Sequence, residues 1–126
     1  MHDGKNLFFP EEAFAGDEWG VDETMDRLDE MNAIRKAIVV GVSPPDRNYA
    51  YTAPGYGPYG RFMAELLKPW VDERWRTRPG PSTTIVMGSS LGGVAALHLA
   101  WEHPKAFGRA ACLSSTFGHA DDLFDR

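Results

Sequence analysis

The sequence is poor in cysteine and has no targeting signal at its start. Cys112 is the single cysteine among 126 residues, which excludes an intramolecular disulfide. Because Cys112 lies in an apolar run, we expect a buried strand residue. The first residues have neither the basic n-region nor the apolar h-region of a secretory signal. Both absences predict a cytoplasmic protein.

Long apolar runs and basic clusters are also missing. No apolar run approaches the roughly 20 residues that span a bilayer, so we expect no membrane partner. The 13 basic residues are scattered among 18 acidic ones, and the net charge is −5. Without a basic stripe, nucleic acid is not expected as a partner. The remaining composition, 43% apolar and 25% charged, is that of an ordinary globular protein.

Helical and strand-like patterns alternate along the chain. Residues 22–32 carry apolar side chains on one face and predict an amphipathic helix. Residues 37–42 and 110–113 are short, continuous apolar runs, typical of strands buried in a parallel sheet. A second helix is predicted over residues 59–76, with a kink at Pro69 because proline clashes with the preceding helical turn.

Another β-branched, apolar run at residues 83–87 predicts a strand, and a helical segment of small and apolar residues follows it up to His103. Within that helix His98 is expected to be a packed or half-exposed residue and not a catalytic base, because the helix carries it away from the preceding turn. Strands that alternate with helices predict an α/β fold. We expect a mostly parallel sheet of about three strands, flanked by helices.

Residues 44–60 form a loop dense in proline and glycine. All four tyrosines of the chain lie in it: Tyr49, Tyr51, Tyr56 and Tyr59. A loop that follows a strand of an α/β sheet lies at the carboxyl edge, where ligands bind. One interpretation makes this loop a wall of a substrate pocket, and the other makes it a surface loop packed by its own rings. The sequence leaves both open.

The most informative stretch is residues 88–92, which fits G-x-S-x-G with Ser90 at its centre. Between a strand and a helix, this motif presents a nucleophilic serine on a sharp turn. Gly88 and Gly92 have no β-carbon, so strand and helix can pass closely. The N–H of Leu91, at the positive end of the helix, would face a developing oxyanion. The alternative is an ordinary glycine-rich turn.

Four stretches, in the same order, resemble the esterase group of the α/β-hydrolase superfamily that includes esterase D, enterochelin esterases and mycolyltransferases. Residues 2–8 resemble its D-G-x-N-L-F loop, and residues 19–22 resemble the start of its first helix. Residues 65–72 resemble its E-L-x-P-x-[IV]-D helix, and residues 88–93 its G-x-S-x-G-G turn. The resemblance spans almost the whole chain.

This resemblance implies a partial α/β-hydrolase fold and a serine hydrolase that cleaves carboxylic esters through an acyl-serine intermediate. Ser90 would be the nucleophile, and the backbone N–H groups of Leu91 and Lys5 would form the oxyanion hole. No metal and no organic cofactor is implied, and the partner is a small-molecule ester. Two alternatives remain: an acyltransferase of the same fold, or a non-catalytic α/β fragment that associates with another chain.

The resemblance also implies that residues 1–126 are a single, partial domain. The group's N-terminal strands and its triad acid and histidine find no match here, so we expect weak or no activity from this chain alone. His119, followed by Asp121 and Asp122, could act as a base for Ser90, and a frayed polar tail is the alternative.

His2, beside the predicted oxyanion loop, is an equally open candidate for the base. The group's third strand would lie between the strands at 37–42 and 83–87, and only Met1 matches its end. Unpaired strand edges at such a gap are costly when buried and attract other chains. We therefore expect self-association through these edges.

Overall fold

The computed structural model describes residues 1–119, and the chain divides into two compact units. The first unit consists of Met1 and Asp3–Ser43, and the second consists of His2 and the chain from Pro44 onward. The organisation of residues 1–126 as one partial domain stays a prediction. Among the described residues, we find no helix with the length and apolar character that crossing a bilayer requires.

The first unit contains the predicted amphipathic helix. It is observed as α1, Val21–Glu30, which begins after Gly20 in a left-handed conformation with φ of 56°. Asp22 and Glu23 lie in its first turn, where the helix dipole favours negative charge. Two 3₁₀ turns precede α1, at Gly4–Asn6 and Phe14–Gly16.

The expected strand at residues 37–42 is wrong in the part of the chain that the structure describes, because only Val42 forms a β-bridge there. Its backbone neighbour is Met1, whose amino group donates to the carbonyl of Val40 at 2.6 Å and whose carbonyl accepts from Val42 at 2.9 Å. A single bridge in the described residues does not form a ladder along the apolar run. Ile38 accordingly remains 51% exposed.

Helical structure in the second unit starts earlier than the predicted range 59–76. It comprises α2 (Arg47–Ala50), α3 (Tyr56–Arg61), a π-helical segment (Phe62–Leu67) and α4 (Lys68–Arg74). The last three follow one another without a break. Pro69 lies in the first turn of α4 and has no N–H for the preceding turn. The expected distortion therefore takes the form of a wider, π-helical turn directly before the proline.

Asp72 connects the end of α4 to the loop that follows it through hydrogen bonds. The ammonium of Lys68 donates to one carboxylate oxygen of Asp72 at 2.6 Å, and the hydroxyl of Thr77 donates to the other at 2.7 Å. Lys68 also donates to the carbonyl of Pro79 at 2.7 Å. Burial raises the pKa of Asp72, but the hydrogen bonds from Lys68 and Thr77 outweigh it and leave the pKa lowered. The aspartate of the resembling helix motif is thus structural.

The tyrosines of residues 44–60 are mostly buried. Tyr51, Tyr56 and Tyr59 are buried, whereas Tyr49 is 51% exposed. The ring of Tyr51 lies 5.0 Å from that of His2 and 5.5 Å from that of Tyr59. Tyr51 and Tyr59 therefore support the interpretation of a self-packed segment, whereas the ring of Tyr56 lies 3.9 Å from that of His98, outside the segment.

A parallel pair of strands completes the second unit. β1 (Ile85–Ser89) follows a 3₁₀ turn at Pro81–Thr83 and pairs in parallel with β2 (Arg109–Leu113). Between them runs α5 (Leu91–Glu102), which packs on both strands. The prediction of an α/β fold with a parallel sheet is confirmed, with two strands in the described residues instead of about three.

The predicted burial of Cys112 is wrong. Cys112 lies on β2 and is exposed. β2 has β1 as its neighbour in the described sheet, and along β2 only Ala111 is even half-buried. An apolar strand is buried on both faces only when other elements cover them, and here that cover is missing from the described residues.

Candidate active site

Ser90 lies at the junction of β1 and α5 in a strained backbone conformation. Its φ is 55° and its ψ is −123°, a combination that few residues other than glycine adopt. Such strain costs about 1–3 kcal/mol and persists where the surroundings enforce it. The N–H of Ser90 donates to the carbonyl of Leu113 at 2.9 Å, and its own carbonyl accepts from Gly93 at 3.1 Å. Both bonds hold the sharp turn.

The turn is tight enough to require glycine. A β-carbon on Gly88 would lie 2.4 Å from the carbonyl carbon and oxygen of Gly92. A β-carbon on Gly93 would lie 1.9 Å from the hydroxyl oxygen of Ser115. The structure therefore brings strand and helix together at Gly88 and Gly92 as the sequence predicts, and it adds Gly93 as a third close approach.

The N-terminus of α5 favours negative charge beside Ser90. Leu91 is the first helical residue, so its N–H has no acceptor within the helix. The dipole of this 12-residue helix adds positive potential at the same end, and its first turn contains no acidic residue that would cancel it. An oxyanion that forms next to Ser90 would be stabilised there.

No base for Ser90 is in place among residues 1–119, where its hydroxyl forms no hydrogen bond. His119 is exposed, and its backbone N–H donates to the carbonyl of Thr116 at 3.1 Å. Its ring is not hydrogen-bonded to any described residue. Asp121 and Asp122 lie outside the described residues. The structure thus does not bring Ser90 and His119 into hydrogen-bond contact.

His2 is a packed residue with poor basicity. It is 1% exposed, and its Nδ1 lies 2.8 Å from the hydroxyl of Tyr59. No described residue pairs with its Nε2. Burial lowers the pKa of His2 to about 3, and the positive charges of the N-terminal amine and Arg47 act in the same direction. A neutral imidazole of this kind is a poor acceptor for the proton of a serine.

Of the two placements expected for His98, packed or half-exposed, the structure shows the packed one. It is buried in α5, and its ring lies 3.9 Å from that of Tyr56. An open cavity of about 560 Å³ is lined at this end of α5 by residues that include His98 and His103. His98 lies about 12 Å along the helix axis from Ser90. The lining of this cavity does not include Ser90.

The loop that carries Lys5 belongs to the first unit. The backbone N–H of Lys5, which the resemblance assigns to the oxyanion hole, donates to the hydroxyl oxygen of Ser43 at 2.9 Å. Lys5 and Ser43 both lie in the first unit, whereas Ser90 lies in the second.

One group of carboxylates in the described residues could approach a cation. Oxygens of Glu18, Asp22 and Glu23 lie within 4.8 Å of one another at the start of α1. The backbone N–H of Gly20 also donates to Glu18. Acidic residues at a helix N-terminus are stabilised by the helix dipole, so this grouping has a structural reason without any metal.

Comparisons with known proteins identify a family and a similar fold. The model of a family described as "Putative esterase" matches residues 12–124. A solved structure titled "Crystal structure of BES protein from Bacillus cereus" is similar with a TM-score of 0.69 and 22% identity. The similarity covers 94% of this chain and 49% of that one, so the chain spans about half the length of its structural neighbour. No curated protein matches the chain.

Proposed function

We propose that this chain, which belongs to the Putative esterase family, hydrolyses carboxylic esters through an acyl intermediate on Ser90. Membership of the family supports ester hydrolysis as the class of reaction. The serine mechanism is our proposal, and the backbone of Ser90 is the observation that carries it.

The strained turn gives Ser90 the geometry that a nucleophile needs. Ser90 combines φ of 55° with ψ of −123° between the end of β1 and the start of α5. Strained residues cluster at active sites, where the surrounding structure keeps them in place. Glycine would adopt this conformation at lower cost, so the presence of a serine here favours a role for its hydroxyl.

The reaction would proceed in two displacements. The Oγ of Ser90 forms a bond to the carbonyl carbon of the ester and gives its proton to a base. The carbonyl oxygen becomes an oxyanion next to the N–H of Leu91, and its collapse breaks the bond to the alcohol, which leaves with the proton. Water then attacks the acyl group in the same way and restores Ser90.

Turnover by these 126 residues is expected to be slow. A serine that lacks a hydrogen-bonded base remains protonated and is a weak nucleophile. His119 stays a prediction for that base, and Lys5 stays the donor that the resemblance implies. Acyl transfer to an alcohol would use the same acyl-Ser90 intermediate.

The test is covalent labelling of the whole chain by a fluorophosphonate probe, followed by intact mass. We expect one label per chain and none in S90A. The matched control is S89A, which removes the adjacent hydroxyl at the end of β1 and should leave labelling unchanged. Equal labelling of S90A and the unsubstituted chain would refute the proposed nucleophile.

A second candidate is a non-catalytic α/β protein that acts by associating with another chain, including a second copy. It is favoured by the exposure of β2 and by the lack of a base bonded to Ser90 in the described residues. Size-exclusion chromatography with light scattering distinguishes the two. A monomer that hydrolyses p-nitrophenyl acetate, with loss of turnover in S90A, would exclude this candidate.

A further inference from the structure

We propose that Ser114 is a substrate-contacting residue of the esterase site, and that its hydroxyl donates a hydrogen bond to the alkoxy oxygen of the ester. The inference rests on the proposed function, because it needs an ester that is bound for attack by Ser90. It adds a contact to the leaving alcohol, which neither Ser90 nor the N–H of Leu91 provides. Sequence reasoning passed over Ser114, although its place after the apolar run 110–113 marks the carboxyl edge of a predicted strand.

Ser114 lies directly beside Ser90, and both residues belong to the second unit. The parallel pair of strands ends with Ser89 opposite Leu113, so Ser90 and Ser114 are the next residues in register. The N–H of Ser90 donates to the carbonyl of Leu113 at 2.9 Å. Because that carbonyl carbon is bonded to the nitrogen of Ser114, the backbone nitrogens of Ser90 and Ser114 are at most about 5.5 Å apart. Both residues therefore leave the sheet at the same point of its carboxyl edge.

The two serines also share an unusual backbone conformation. Ser90 has φ of 55° and Ser114 has φ of 43°, in a region that favours glycine. Ser114 turns the chain immediately after β2 ends, as Ser90 does after β1. Strained residues cluster at active sites, where the surrounding structure keeps them in place. Two strained serines at neighbouring strand ends thus point to one site that both residues serve.

The hydroxyl of Ser114 is available to a substrate. Ser114 is exposed, and no acceptor among residues 1–119 takes its proton. The next residue differs, since the Oγ of Ser115 is buried and lies 1.9 Å from the position of a β-carbon on Gly93. Of the two serines that follow β2, it is therefore Ser114 that can meet a molecule approaching Ser90 from solvent.

An ester offers two oxygens to hydrogen-bond donors at this edge of the sheet. In the proposed reaction its carbonyl oxygen becomes the oxyanion beside the N–H of Leu91. Its alkoxy oxygen gains negative charge as the bond to the acyl carbon breaks. A hydroxyl donates more strongly to an oxygen that becomes anionic, so the bond from Ser114 stabilises the departing alcohol in the transition state. The proton of Ser114 stays on its Oγ, and the alcohol leaves with the proton that Ser90 gave up.

The decisive comparison is between S114G and S114N. Glycine and asparagine both tolerate a positive φ, but only the asparagine side chain has an N–H that can donate in place of the hydroxyl. The substrates are phenyl acetate and p-nitrophenyl acetate, which share an acyl group and differ in the basicity of the leaving group. The measured quantity is the rate of phenol or p-nitrophenol release in a single turnover, with the whole chain in excess over the ester. S82A is the control for removal of an exposed serine hydroxyl elsewhere in the chain.

We expect S114G to slow the release of phenol about 5- to 10-fold, the usual effect of losing one hydrogen bond. Release of p-nitrophenol should slow by less than about twofold, because the weaker base accepts a weaker hydrogen bond. S114N should stay within about threefold of the unsubstituted protein with both esters, and S82A should match it. Thermal unfolding of S114G should be unchanged or shifted upward, since glycine relieves the strain of a positive φ. A merely structural role would lower stability and slow both esters equally.

Three results would overturn the role of Ser114 and leave the proposed function intact. S114G slows both esters equally, S114G matches the unsubstituted protein with both esters, or S114N is as slow as S114G with phenyl acetate. In each of these, the fluorophosphonate still labels Ser90 of the unsubstituted protein and the esters still acylate it. Absence of that labelling, or of acylation by either ester, overturns the proposed function and the role of Ser114 together.

Discussion

The carbonyl of Gly92 fills the space that a β-carbon on Gly88 would need, at 2.4 Å from that position. We expect G88A to separate β1 from α5, to lower the free energy of unfolding by about 2–4 kcal/mol, in the range of severe steric and backbone changes, and to abolish labelling of Ser90. Urea unfolding and fluorophosphonate labelling measure the two effects.

The matched control for G88A is G57A in α3. Apart from its chain neighbours, nothing lies within 4 Å of a β-carbon placed on Gly57. Alanine is the better helix former by about 0.5–1 kcal/mol, but Pro58 restricts a β-carbon on the residue before it. Because these two effects oppose each other, we expect G57A to change stability by less than about 1 kcal/mol. Similar losses of stability in both variants would contradict the contact described for Gly88.

Acid should destabilise the protein through His2. Burial lowers the pKa of His2 to about 3 in the folded protein. In the unfolded chain His2 has the ordinary pKa of about 6.5. Between about pH 6.5 and 3 it therefore binds a proton in the unfolded state that it does not bind in the folded state. The contribution of neutral His2 to the free energy of unfolding is therefore complete above about pH 6.5. It is lost as the pH falls toward 3, by at most about 1.4 kcal/mol per pH unit.

The measurement for His2 is the free energy of unfolding at pH 7.5, 6 and 5, for the unsubstituted protein and for H2Q. Glutamine has no titratable group and can still form a hydrogen bond with Tyr59. We expect a shallower loss of stability in H2Q over this range. Parallel pH profiles for the two proteins would rule out His2 as the group that titrates.

Asp72 should contribute to stability through its carboxylate. In D72N the ion pair with Lys68 and a charge-assisted bond from Thr77 are lost, which we expect to cost about 1–2 kcal/mol in urea unfolding at pH 7. The pKa of Asp72 is lowered in the folded protein, so this contribution is present above its ordinary pKa and is lost as the pH falls through the folded value.

The control for D72N is E73Q, since the neighbouring Glu73 side chain is 76% exposed and its nearest ion-pair contact, with Arg74, is 3.8 Å long. We expect E73Q to change stability by less than about 0.5 kcal/mol. A deficit in D72N that keeps its full size in strong acid would show that the charge of Asp72 is not its source.

Cys112 should react with a thiol reagent such as DTNB in the native protein. Its exposure on β2 gives access without unfolding. Partial burial of Cys112 raises the pKa of its thiol, and a backbone hydrogen bond at Leu97 opposes this more weakly. Since the thiolate is the reactive form, the rate should rise about tenfold from pH 7 to 8. A thiol that reacts only in denaturant would contradict this exposure, and C112S provides the blank.

The turn at Ser90 could be predicted from the local sequence, because the residues that form it are close together in the chain. Gly88 and Gly92 surround Ser90, and both the strand before and the helix after are short-range patterns. The distortion before Pro69 was predictable for the same reason, since a missing N–H acts on the preceding turn. In these places the geometry follows from neighbours within about one helical turn.

Features that depend on distant partners could not be predicted. The bond between Lys5 and Ser43 joins residues 38 positions apart, and neither is unusual alone. The strand at 37–42 and the burial of Cys112 both failed because an apolar run becomes a buried strand only beside other strands. His2 was a candidate base because it lies beside the predicted oxyanion loop, and the tyrosine rings that pack on it are about 50 or more positions away in the sequence.

The π-helical segment Phe62–Leu67 has a consequence for the history of the helix that contains it. A π-turn holds one residue more than an α-turn, so deleting one residue there would restore regular α-helix. Restored α-geometry would bring Pro69 against a carbonyl that the wider turn keeps away. The extra residue and the proline are therefore coupled. A sequence that loses the extra residue and keeps the proline is destabilised by the clash with that carbonyl. The two should be gained and lost as a pair.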